Sequence, residues 1–177
     1  MKQLHPGVMW SFRIGVYFLM LFLFLFGGWF VVPFFTGFIE LVLGVSALNG
    51  IIIGVLIFIL VYIIFTIIIA EIYAHLAYNN WLYEFTEDHL KKESGIIWKK
   101  YSNIPYERVQ NVDISRGIIA RMLGFSTVNV QTAGYSYNPN GGVFSEGYIP
   151  GVNMQEAEKI REFLMSKITK KGRNQGL

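Results

Sequence analysis

Residues Ile51 to Ala70 read "IIIGVLIFILVYIIFTIIIA", and 16 of them are Ile, Leu, Val or Phe. Each such residue favours insertion near the centre of a bilayer helix by roughly 0.3 to 0.6 kcal/mol, and about 20 in a row cross a ~30 Å hydrocarbon core. The stretch is apolar on every face, so a soluble fold would have to bury all of it. A chain of 177 residues has too little left over to do that, and a membrane span is the reading that follows.

A second apolar run lies on its N-terminal side. "IGVYFLMLFLFLFGGWFVVPFF", Ile14 to Phe35, is uncharged, and from Ile14 to Ala70 only Glu40 carries a charge. A cleaved signal sequence has an apolar run of about 7–15 residues and then a small-x-small site. This run is longer and no such site follows, so it is expected to stay as an anchor. Pro33 stands where the first helix is expected to stop. Thr36 to Gly50 then reads as a short, glycine-broken, interfacial connection with Glu40 at headgroup level, and Gly27, Gly28, Gly44 and Gly54 would permit close helix approach.

The basic residues set the orientation. Lys2 and Arg13 precede the first span, Lys91, Lys92, Lys99 and Lys100 follow the second, and the connection has neither Lys nor Arg. This predicts a multi-pass cell-membrane protein with two spans, about 14–35 and 51–70, and both termini cytoplasmic. The absence of cysteine agrees with a reducing compartment. Tyr73, Tyr78 and Trp81 are placed at the headgroup layer. The chain accordingly divides into an anchor, 1–80, and a cytoplasmic domain, 81–177.

The domain begins with strand patterns. "WLYEF" puts Trp81, Tyr83 and Phe85 on one face, "TEDH" reads as a turn, and "LKKESG" and "IIWKKYSNI" continue an antiparallel meander that ends at Pro105. In "RVQNVDIS", Val112 and Ile114 alternate with polar residues, while Val109 breaks the alternation and predicts a bulge. "SRGIIARMLGF" reads as a short helix, with Ser115 as its cap, Ile118, Ile119, Met122 and Leu123 at helical spacing, and Gly124 as a left-handed end. "STVNVQTA" turns Val128 and Val130 inward, and "GYIPGV" is a last strand. Asn153 then caps an amphipathic helix with Ala157, Ile160, Leu164 and Ile168 on one stripe and Glu156 at capping-box spacing.

Two apolar spans followed by "IPYERVQNVDISRGIIARMLGFSTVNVQTAG", Ile104 to Gly134, resemble the membrane-flanked bacterial pleckstrin-homology-like domain family. The resemblance implies a membrane α-helical hairpin plus a mainly β, α+β domain: a bent antiparallel barrel capped by the C-terminal helix. It also implies membrane-protein partners of the same family with several copies of the domain. The family has no established catalytic residues to carry over.

The residues agree that catalysis is not the activity. His5, His75 and His89 have no carboxylate or second ligand at metal spacing and read as solvated or interfacial; Ser115 and Ser126 lack a base; "GGVFSEG" lacks the context of a phosphate loop. No catalytic, cofactor or metal residue is expected. The spans hold no charged group at membrane depth, which weighs against a transport pathway, although a small channel or transporter subunit is the alternative class. A net charge of +3 without a nucleic-acid module predicts no nucleic-acid partner.

Two surfaces are left. Lys91, Lys92, Lys99 and Lys100, sharing one hairpin, are candidate contacts to anionic membrane lipid, or else protection of an exposed strand. Arg108, Arg116, Arg121, Tyr135, Tyr137 and Asn138 are candidate protein contacts; the arginines either meet an acidic partner or pair with Glu107 and Asp113 inside the domain. A membrane-anchored adaptor for a protein partner, or for a second copy of itself, fits this organisation.

Overall fold

The computed structural model describes residues 1–44, 46–132 and 147–174, leaving aside the side chains of 47 and 169–174. They form two compact units: Phe12–Ala74, and Met1–Ser11 together with His75–Leu177. The division of the sequence at residue 80 therefore needs correcting at the N-terminus. The first eleven residues belong with the sheet domain.

Helices α1, Val8–Leu43, and α2, Ala47–Asn79, are both long and apolar enough to cross a membrane. At 1.5 Å per residue their 36 and 33 residues run to about 54 and 50 Å, well beyond a ~30 Å core. Pro33 does not end α1 but lies within it, and Glu40 is helical too. Membrane helices tolerate an interior proline, which here removes the N–H that would reach the Trp29 carbonyl; one turn on, Thr36 Oγ1 donates to the Pro33 carbonyl at 3.0 Å. Gly44, at φ +60°, begins the turn that replaces the longer connection expected from the sequence.

Within Phe12–Ala74 the helices run antiparallel, since successive positions along α1 meet positions of descending residue number in α2. Arg13 pairs with Glu71, Tyr62 donates to the Met20 carbonyl, and Phe24 and Phe35 pack on Phe58. The backbones come close at Gly50 and Gly54. A Cβ at Gly54 would lie 2.9 Å from Thr36, and one at Gly50 would lie 3.0 Å from Glu40. Gly27 and Gly28, expected to share that role, have nothing within 4 Å.

The sheet domain contains two sheets. One has the order β1-β2-β3-β4, with β1 Lys2–Gln3, β2 Leu82–Phe85, β3 His89–Ser94 and β4 Lys100–Pro105. The other has the order β5-β6-β7, with β5 Val109–Ser115, β6 Phe125–Thr132 and β7 Gly147–Asn153. All pairs are antiparallel. Among the described residues the sheets do not close into the expected barrel: they remain separate, and α4, Met154–Asn174, packs on the second.

The bulge read at Val109 is present, between Val109 and Asn111. A second one opposes Pro150 and Gly151 of β7 to Thr127 alone. It leaves the Gly151 carbonyl to accept the His5 amide at 2.8 Å, and the His5 ring lies beside Phe125. His5, expected to be solvated or interfacial, is half-buried within the domain. Tyr78, expected among headgroups, donates to the Leu4 carbonyl at 3.0 Å. The core holds Tyr83, Leu90, Ile104, Val128, Val130, Ile149, Val152 and the α4 stripe Ala157, Ile160 and Leu164.

Two local expectations change. Ser115 ends β5 and does not cap α3, Ile118–Met122, whose N-cap is Gly117. Of that short helix only Ala120 is buried; Ile118 and Met122 are 71% and 81% exposed, pointing away from the core. Gly124, at φ +78°, follows the helix as read.

Candidate binding groove and hairpin tip

An open groove of about 790 Å³ lies along α4, between it and the β2–β3 turn. Its apolar lining is Phe85, Ile160 and Phe163, and its polar lining is Lys2, Thr86, Glu87, Asp88, Glu156, Lys159 and Lys167. Phe163 is held edge-on by Phe85 at 6.2 Å and by Tyr106 at 5.6 Å between ring centroids. The turn is fixed by Thr86, whose hydroxyl donates to the His89 carbonyl at 2.7 Å, and by Tyr106, whose hydroxyl donates to the Thr86 carbonyl at 2.7 Å.

The charges around the groove are organised. Lys2 reaches Glu156 at 2.7 Å, joining the N-terminal strand to α4. Glu156 therefore serves Lys2 and Tyr83; the α4 end is instead capped by Asn153 Oδ1, which accepts the Gln155 amide at 3.3 Å. Lys167 donates to the Glu87 carbonyl at 3.1 Å and lies 5.5 Å from the Phe163 ring centroid and 5.8 Å from that of Tyr106. Burial, then the Glu156 carboxylate, pushes the Tyr83 hydroxyl far up. Burial, then Asp88, pushes Tyr106 up to about 12. Both phenols stay neutral donors at physiological pH.

The four candidate lipid-contact lysines do share the β3–β4 hairpin, but on different faces. The register pairs Leu90 with Ile104 and Lys92 with Ser102 on the core side, whereas Lys91 lies opposite Asn103 on the other side. Lys92 sits over the Trp81 ring at 5.9 Å, and Lys99, exposed, pairs with Glu93 at 2.9 Å, which raises its pKa. Lys100 is exposed opposite Ser94. The strand read from Ile96 begins only at Lys100. Gly95, at φ +108°, turns the chain so tightly that a Cβ there would lie 2.0 Å from the Trp98 carbonyl oxygen. Ile97 and Trp98 are thereby carried to the tip, 84% and 87% exposed.

The candidate protein-contact residues are not assembled into one site. Arg108 ends the 3-10 turn at Tyr106–Arg108, Arg116 follows β5 and donates to the Phe125 carbonyl at 3.1 Å, and Arg121 is exposed on α3. Asp113, read as a potential arginine partner, accepts from Gln131 at 2.6 Å and Asn111 at 3.0 Å. Tyr135, Tyr137 and Asn138 lie outside the described residues. Among the described residues, no group of three or more His, Asp or Glu could hold a metal ion. Sequence reasoning missed the groove because its walls, at 2, 85–88 and 156–167, come from three distant segments.

Comparison with known proteins places these features in a family. The model of the bacterial PH domain matches residues 17–168. The UPF0699 transmembrane protein YdbS of Bacillus subtilis (strain 168) is 30% identical over 82 residues, covering 46% of this chain and 45% of that protein. The UPF0699 transmembrane protein YdbT of the same organism is 24% identical over 100 residues, covering 56% of this chain and 19% of that protein. The matched stretch is thus under half the length of either relative. No solved structure matches. With the family model covering most of the chain, two long apolar helices and two antiparallel sheets closed by a C-terminal helix, this membrane protein belongs to the bacterial PH domain family.

Proposed function

We propose that the chain is a two-span membrane-anchored adaptor, with both termini cytoplasmic, that binds a segment of another membrane protein in the groove along α4. The observation that carries this reading is the groove itself: an apolar floor at Phe85, Ile160 and Phe163 under a rim of both signs. Apolar anchoring inside a polar rim is how protein segments are held, whereas a lipid headgroup would call for a rim of one sign. Anchoring supplies the rest. Confining both partners to one plane raises their effective concentration, so a contact weak in solution is occupied at the membrane. Multi-copy members of the same family are the partners in keeping with the match to the much longer YdbT. The activity is binding, not catalysis.

A photo-crosslinking residue in place of Lys159, in the full chain in its native membrane, tests the groove. Adducts with a second membrane protein are expected, and their absence at this position would count against the reading. A channel or transporter subunit differs in a second respect: exchanging both spans for unrelated apolar helices would abolish a pore and leave the adaptor's adducts in place.

A further inference from the structure

The β3–β4 hairpin ends in a feature that the groove does not use. Ile97 and Trp98 form its apex, each more than four-fifths exposed, and Lys99 and Lys100 follow at once. We infer that this tip is a bilayer-docking wedge: Ile97 and Trp98 enter the interface of an anionic membrane, and the lysines behind them meet its phosphates.

The chemistry of the tip favours this occupant over a protein. An indole has an apolar body and one N–H, the combination that settles at the headgroup boundary. Cations stand directly behind the apolar pair, where the surface potential of an anionic leaflet acts on them. From His89 to Lys100 the charges are Lys91, Lys92, Lys99 and Lys100 against Glu93 alone, and Glu93 is held by Lys99. The tight turn at Gly95 fixes the apex, so the exposed rings and aliphatic groups need little ordering on docking. Finally, the chain carries its own membrane helices, so the domain is never far from a bilayer. Lys92, lower in the hairpin, lies over Trp81, which precedes β2, and not at the apex.

The chain contains no cysteine, so a single one can be introduced and labelled. Ile97→Cys in the full chain, carrying an environment-sensitive fluorophore, is placed in nanodiscs of phosphatidylcholine with or without phosphatidylglycerol, and quenching by spin-labelled lipid is compared with a label at Gln155→Cys on α4. The expected result is a blue-shifted label at 97, quenched severalfold more than at 155, most strongly with phosphatidylglycerol. Adding Lys99→Glu and Lys100→Glu removes that lipid dependence, each lysine being worth roughly fivefold in the docked ratio. A label at 97 quenched no more than that at 155 in either nanodisc overturns the proposal. So does one shielded only when native membrane proteins are restored, which would make the tip a protein contact. Trp98→Cys, at the same exposed apex, repeats the test independently. The outcome does not depend on the groove, which none of these substitutions touches.

Discussion

Val8 and Gly151 lie so close that a Cβ on Gly151 would stand 2.7 Å from the Cβ of Val8. Val8, at the start of α1, is buried, and the Gly151 carbonyl two bonds away takes the His5 amide. The second bulge in β7 thus receives the N-terminus as a structural part of the domain. Gly151→Ala forces the contact apart, and overpacking of this kind typically costs about 1–3 kcal/mol. Thermal unfolding of the purified protein in detergent should show the drop, while Gly117→Ala, with nothing within 4 Å, should show little.

The turn that walls the groove depends on a neutral phenol. Tyr106 donates to the Thr86 carbonyl, and its pKa rises from 10.0 to about 12. A folded-state pKa above the unfolded one means that the protonated form is favoured by folding. That contribution is complete below pH 10 and is lost as pH climbs toward 12. Tyr106→Phe should lower stability at pH 7 by about 1 kcal/mol and flatten the alkaline loss. Tyr83 and Tyr148, also raised by burial, add to the slope that remains.

Arg13 and Glu71 meet in a bidentate pair, with both N···O distances 2.8 Å, and the Arg13 side chain is mostly buried. Arg13→Ala leaves a carboxylate without its fork, at a cost of roughly 1–3 kcal/mol. Exchanging the charges, Arg13→Glu with Glu71→Arg, should recover part of it. A double-mutant cycle on detergent melting temperatures checks the coupling.

Gly54 marks where the two long helices touch. Gly54→Leu puts a side chain into Thr36 and should lower the melting temperature, whereas Gly27→Leu, facing open space, should not. Equal effects would contradict the packing described.

What the sequence disclosed follows from the range of each signal. Apolar runs announce membrane helices by composition alone, and the Val128 and Val130 alternation and the Ile160 and Leu164 stripe announce faces by local period. β1 is two residues long and has no period to read; its place is set by pairing with β2, some eighty residues away. Ile96 to Trp98 has strand composition, but Gly95 turns the chain before that preference can act. Ile118 and Met122 sit at core spacing and yet face solvent, because a five-residue helix turns only Ala120 inward. The groove unites Lys2, Phe85 and Phe163, which no local pattern connects.

The adaptor reading is tested most directly by what travels with the protein. The tagged full chain is purified from its native membrane in mild detergent beside a variant with the exposed rim charges reversed, Lys159→Glu with Glu87→Lys. The account predicts a second membrane protein that co-elutes with the unaltered chain and is lost from the variant. A chain that elutes only with copies of itself, or a partner retained equally by both, would contradict it.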